Sequence, residues 1–129
     1  MDWSINLEDT PGTIAVIVRG QWDMAEALEV LGSVWAEQAR TAVHRVVWDL
    51  RELEISDTST SDLREIANRQ LRDRPDLPEA RAAIVVSRDL AFGMGRMVEA
   101  YLEGAPVDVH VFRDIPEALD WLSGEDDER

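Results

Sequence analysis

From Arg81 to Leu122 the chain switches back and forth between two hydrophobic periods. Residues 81–87, RAAIVVS, form a short, nearly unbroken apolar run. Residues 88–104, RDLAFGMGRMVEAYLEG, place Leu90, Met94, Met97, Val98, Tyr101 and Leu102 at helical spacing. In 107–112, VDVHVF, valines alternate with Asp108 and His110. Residues 113–122, RDIPEALDWL, return to helical spacing. A period of two suits a pleated strand and a period near 3.6 suits a helix, so the segment reads strand, helix, strand, helix. Gly104 and Pro106 separate the first helix from the next strand, and Asp114, Pro116 and Glu117 open the second helix. Strands joined through helices run parallel, with right-handed crossovers.

The same grammar extends toward the N-terminus. Trp3 to Leu7 alternates apolar and polar residues, Glu8 to Gly12 is turn chemistry, and Thr13 to Arg19 is a β-branched run, which predicts an opening hairpin. Asp23 and Glu26 have capping-box spacing ahead of an apolar stripe of Met24, Ala27, Leu28, Leu31, Val34 and Trp35. Gly32 inside that helix is expected to mark close packing. Arg45 to Leu50 predicts the next strand, with Leu53 and Ile55 in a connection. The polar loop SDTSTS, residues 56–61, precedes a helix with Leu63, Ile66, Ala67, Gln70 and Leu71 on one face. Pro75 and Pro78 close that helix. The predicted fold is therefore α/β: a mixed, mostly parallel sheet of about five strands with four main helices. Residues 1–124 form one domain and Glu125 to Arg129 an acidic tail.

Charge narrows the partners. The formal charge is -14, and all 13 basic residues are arginines scattered along the chain. A phosphate backbone or an anionic membrane surface is disfavoured by such a field, so no nucleic-acid partner is expected. The absence of cysteine removes disulfides, thiolate catalysis and Cys-ligated zinc. No run approaches the roughly 20 apolar residues of a membrane helix, and the first residues lack a signal-peptide pattern. A cytoplasmic location without membrane insertion is the resulting expectation. The tryptophans at 3, 22, 35, 48 and 121 are candidates for core or interface anchors.

The segment from Ala82 to Leu122 resembles the SpoIIAA-like proteins of the STAS/SEC14 group. The resemblance is carried by AAIVVS, by the FGMGRM of residues 92–97 and by the VFRDIPEALDWL of 111–122. It implies a compact α/β domain wound as a βα superhelix. In the anti-sigma factor antagonists of the wider group, a serine in an Asp-Ser-Ser-Gly motif is phosphorylated by a partner kinase. Asp57-Thr58-Ser59-Thr60 stands at the similar place here, with Thr60 where that motif has glycine. The resemblance thus implies a non-enzymatic regulatory or protein-interaction module, docking through Asp57, Ser59 and Thr60. Ser59 is the first phosphoacceptor candidate and Thr58 the second, with an anti-sigma-type kinase as partner.

Each candidate also has a structural reading. Ser59-x-x-Asp62 and Asp62-x-x-Glu65 both fit helix capping without any phosphate. Phe92, Gly93, Gly95, Arg96 and Met97 offer an alternative function, binding a lipid or a small anionic metabolite. Glycines near a helix start would admit a ligand to backbone amides, Arg96 would pair with it, and methionines adapt to irregular apolar shapes. The same residues are equally accounted for by helix–sheet packing and an ion pair. His44 and His110 lie in different elements, so no metal site is expected. No nucleophile–base pair or cofactor loop stands out, so neither an enzyme nor a cofactor is expected. A homodimer would follow if helices covered only one face of the sheet.

Overall fold

The computed structural model describes residues 1–7, 12–77 and 79–124. Its elements, in chain order, are β1 (Asp2–Asn6), β2 (Ile14–Gln21), α1 (Met24–Thr41), β3 (Arg45–Glu54), α2 (Thr60–Arg72), β4 (Ala80–Val85), α3 (Asp89–Tyr101), β5 (Val107–Phe112) and α4 (Ile115–Ser123). The expected acidic tail lies outside the described residues, as does most of the predicted hairpin turn.

The five strands form one sheet in the order β1-β2-β3-β4-β5. The pair β1–β2 is antiparallel, with Trp3 opposite Val18 and Ile5 opposite Val16. The pairs β2–β3, β3–β4 and β4–β5 are parallel. Each crossover therefore joins a strand to its immediate neighbour. Right-handed connections of that kind keep α1, α2 and α3 on one face. On that face α1 packs on Ile14, Val16, Val18 and Val46. The residues of α2 and α3 pack with Ala80, Ala82, Val107 and Val109. The last helix has no further strand to reach and folds over the opposite face, against Val47, Ala83 and Val85. A homodimer argued from a one-sided sheet thus loses its ground, because both faces carry helices.

The helix ends follow local chemistry. Asp23 Oδ1 accepts from the amides of Ala25 and Glu26 at the start of α1. Ser59 Oγ accepts from the Asp62 amide at 3.0 Å, so Ser59, not Asp62, is the N-cap of α2. Asp114 Oδ1 accepts from the Glu117 amide at 2.8 Å, and Gly124 closes α4 in a left-handed conformation, φ +67°.

Several expectations need correction. β3 continues through Leu53 to Glu54 instead of ending at Leu50, because β2 shifts register between Ile17 and Arg19 and then pairs Gly20 with Leu53 and Gln21 with Glu54. Leu71 and Leu90 leave the apolar faces assigned to them and are 52% and 57% exposed. Leu90 lies in the first turn of α3 and is exposed, while its neighbour Ala91 packs with Val86 and Val111. No atom of another element lies within 4 Å of the Cβ position at Gly32, so that glycine marks no close packing.

An apolar cleft between α1 and α2

Three separate core clusters lie on the three-helix face, and Trp48 of β3 packs against the two that hold α1 and α2. Between them lies a cleft with two lobes. The larger, about 140 Å³, is walled by α1 (Ala27, Val30, Leu31), α2 (Leu63, Ile66) and α3 (Val98), and floored by Val18, Trp48, Ala82, Ile84 and Val109. The smaller, about 80 Å³, lies toward α3: it shares Trp22, Leu50, Leu53, Leu63, Ile84 and Val98 with the larger and adds Ile55, Thr58, Val86, Ala91, Met94 and Gly95. The sequence explains the opening. On the sheet below it, the strand positions around Trp48 carry smaller side chains, as at Val18, Ala82 and Val109. The helices above are spread by their attachment to different strands.

Polar links hold the cleft's rim. Trp22 donates Nε1–H to Asp62 Oδ2 at 3.0 Å, tying the β2–α1 junction to the first turn of α2. Gln21 donates Nε2–H to Asp57 Oδ2 at 2.9 Å. The Trp22 amide donates to the Glu54 carbonyl at 2.8 Å. The Met1 ammonium, beside the larger lobe, donates to Glu26 Oε1 at 2.6 Å, and that carboxylate raises its pKa. Among the described residues, no Asp, Glu, Lys or Arg side chain lines either lobe.

The polar residues that do face the lobes are few. Gln70 borders the larger one. Thr58 lines the smaller one and is only 9% exposed. Its amide donates to the Ile55 carbonyl at 2.9 Å. Its hydroxyl Oγ1 is buried with no hydrogen-bond partner among the described residues. Leaving a buried hydroxyl unpaired costs about 1–3 kcal/mol.

The residues singled out in the sequence fall into two groups. Asp57, Thr58, Ser59 and Thr60 stay together at the α2 N-terminus, but they face different ways. Asp57, Ser59 and Thr60 are exposed, whereas Thr58 turns inward. As a phosphoacceptor Thr58 would require the loop to open, so of the two candidates Ser59 is the accessible one.

The 92–97 segment does not converge on one site. It lies inside α3 rather than at its start, since the N-cap is Arg88. Its amides are therefore spent within the helix, as Phe92 N–H is on the Arg88 carbonyl at 2.9 Å. Phe92 sits under the Arg113 guanidinium, 4.5 Å from ring centroid to Cζ. Gly93 is exposed, with no other element within 4 Å of its Cβ position. Gly95 lies against Val111, Arg96 pairs with Glu99 at 3.1 Å, and Met97 packs in the α2–α3 cluster. Of the five candidates, Gly95 alone lines the cleft. What the sequence reading missed was the cleft itself, because Trp22 and Trp48 read as core or interface anchors and Leu63 as one position on the apolar face of its helix. One signal was present. Thr58 precedes the Ser59 cap and Leu63 is five residues on, the two positions where a hydrophobic staple would pair apolar side chains. A hydroxyl in that pattern is out of place.

His110 lies on the opposite face beside Trp121, 4.8 Å between ring centroids. No group of three or more His, Asp or Glu side chains suited to a metal ion occurs among the described residues.

No family model matches the chain, and neither does any curated protein. Among solved structures it is similar to an uncharacterised protein of the DUF3478 family from Shewanella loihica, with a TM-score of 0.55, 19% identity and 93% of each chain covered. That protein is described as having a SpoIIAA-like fold. The likeness extends over nearly the whole length of both chains, and the fold of this protein is SpoIIAA-like.

Proposed function

We propose that this protein is a non-enzymatic binding module that holds a small apolar molecule in the cleft between α1 and α2. One observation carries the reading: two adjoining lobes of about 140 and 80 Å³, lined almost wholly by apolar side chains. A dry apolar cavity of about 150 Å³ is large enough for a six-carbon ring. This takes up small-molecule binding, the alternative that the sequence offered beside a regulatory module, but moves it from α3 to the cleft. The cleft wall contains its own reporters, Trp22 and Trp48. Titration with six-carbon probes (n-hexane, 1-hexanol and hexanoate) is expected to change tryptophan emission and raise the thermal midpoint with at least one of them. Trp48→Phe should remove most of the emission change. No response to any of the three would end this reading.

A second reading is favoured by Ser59. Its hydroxyl is exposed at the N-terminus of a helix of 13 residues, beside exposed Asp57 and Thr60. This is the surface of a docking loop for a protein partner such as a serine kinase. A phosphate there would add about -1.5 to -2 charges where the helix dipole favours them. Mass mapping after incubation with serine kinases, on wild type and on Ser59→Ala, tests it. Modification that persists in Ser59→Ala, or none in wild type, would rule out the switch.

A further inference from the structure

We propose that the ligand of this cleft is an uncharged molecule with an apolar body and one hydroxyl or carbonyl group, which pairs with Thr58 Oγ1 in the smaller lobe. The inference rests on the apolar-cleft reading and specifies its ligand class. Two independent observations carry it.

The first is the orphaned hydroxyl. Among the described residues, Thr58 Oγ1 is buried without a partner and borders an otherwise apolar lobe. Folding alone would favour an apolar side chain at this position, since Leu63 across the staple is apolar and Val has nearly the shape of Thr. A hydroxyl retained there is satisfied only by something that enters the lobe. A hydroxyl both donates and accepts, so it pairs with an alcohol or a carbonyl equally well.

The second is the charge of the surroundings. Among the described residues, neither lobe has a cationic side chain in its lining. The ammonium of Met1, at the larger lobe, is already held by Glu26 at 2.6 Å. Outside the smaller lobe stand the carboxylates of Asp57 and Asp62, engaged by Gln21 and Trp22. A carboxylate or phosphate head group brought to Thr58 would be desolvated with no countercharge and would face two acidic neighbours. An ammonium head group would likewise be desolvated, because no carboxylate among the described residues lines either lobe. A neutral polar group avoids both costs. This narrows the ligand and sets aside the anionic metabolite that the sequence allowed.

The test compares n-hexane, 1-hexanol and hexanoate on the whole chain at neutral pH, with tryptophan emission and calorimetry as readouts. 1-Hexanol is expected to bind about tenfold more tightly than hexanoate, the difference that one neutral hydrogen bond and an avoided buried charge supply at minimum. Thr58→Val should weaken 1-hexanol about fivefold to tenfold while leaving n-hexane unchanged or slightly tighter. Thr58→Ser should keep the alcohol preference. Thr58→Val is close to isosteric and should fold, with a thermal midpoint at or above that of the wild type, since it removes an unpaired buried hydroxyl. Hexanoate binding as tightly as 1-hexanol overturns the inference, as does an alcohol affinity indifferent to Thr58→Val. Either result with n-hexane still bound leaves the apolar-cleft reading standing. If none of the three probes binds, both are overturned together.

Discussion

Two glycines two residues apart show how strongly a single position depends on what lies across from it. Gly93 and Gly95 both stand inside α3, where glycine is a poor choice for the backbone. At Gly95 an added Cβ would lie 2.6 Å from Val111 Cγ2 and 2.9 Å from Val111 Cβ. Val111 is β-branched and buried in β5, so it has little freedom to withdraw. At Gly93 nothing lies within 4 Å. We therefore predict opposite signs. Gly95→Ala should lower stability by about 1–3 kcal/mol through overpacking. Gly93→Ala should raise it by about 0.5–1 kcal/mol through helix propensity. Urea midpoints of the two variants decide the matter, and equal midpoints would contradict this account of Gly95. The sequence signalled two glycines and left packing and ligand access open for both. The structure gives packing to one of them and open surroundings to the other.

At the scale of elements, α4 illustrates a helix finished by its neighbours. Its N-terminus is legible in the sequence, where Asp114 caps and Pro116 follows. Its C-terminal turn has no basic residue of its own. Arg81 of β4 donates Nη1–H to the Trp121 carbonyl at 2.7 Å, and Arg45 of β3 donates Nη1–H to the Leu122 carbonyl. Carbonyls that a helix leaves unpaired at its end are thus taken by arginines of the sheet beneath, which also favours the negative end of the dipole. Arg81 further stacks over Trp121, 5.2 Å from the ring centroid. Arg81→Met keeps an unbranched stem but no donor. It is predicted to cost about 1–2 kcal/mol, with faster hydrogen exchange in α4 than in α1. Unchanged exchange in α4 would show that the arginine contributes nothing there. The free edge of β5 is closed in a related way, by Glu99 of α3 accepting from the Val111 amide at 2.6 Å. These partners lie 12 to 77 residues away along the chain, beyond the reach of any local pattern.

For the whole molecule, charge sets the response to pH and salt. The Asp49 carboxyl is held below the ordinary carboxylate range, chiefly by hydrogen bonds from Arg51. Glu37 is lowered by Arg40, and Glu54 by Ser56 and then Arg88. A carboxyl with a lower pKa in the folded state than in the unfolded state stabilises the fold above its unfolded value. That contribution is lost as pH falls through the folded value. Stability should therefore be level from neutral pH down to about 5 and fall below about 4, near the ordinary carboxylate values. Against this acts the formal charge of -14, which repels itself in the compact state. Raising ionic strength from about 0.01 M to about 0.15 M shortens the screening length from about 30 to about 8 Å and should raise the thermal midpoint at pH 7. A midpoint that falls with salt would mean that the scattered arginine pairs outweigh the net repulsion.

The sequence by itself determined the alternation of strands and helices, the parallel sense of the central strands and the caps at Asp23, Asp114 and Gly124, while for α2 it left Ser59 and Asp62 both open. Each of these depends on residues within a turn or two of one another, and hydrophobic period and capping act over that distance. The extension of β3 to Glu54 needed the partner strand, whose register shift carries the pairing onward. The cleft needed the fold. It exists because α1 and α2 attach to different strands and stand over Trp48 without closing on it, and no spacing along the chain expresses that gap. The same holds for Thr58. In sequence it is one hydroxyl among several in a polar loop. Only the packing of α2 against the sheet turns it inward, unpaired, into an apolar lobe, while Ser59 beside it caps the helix at the surface.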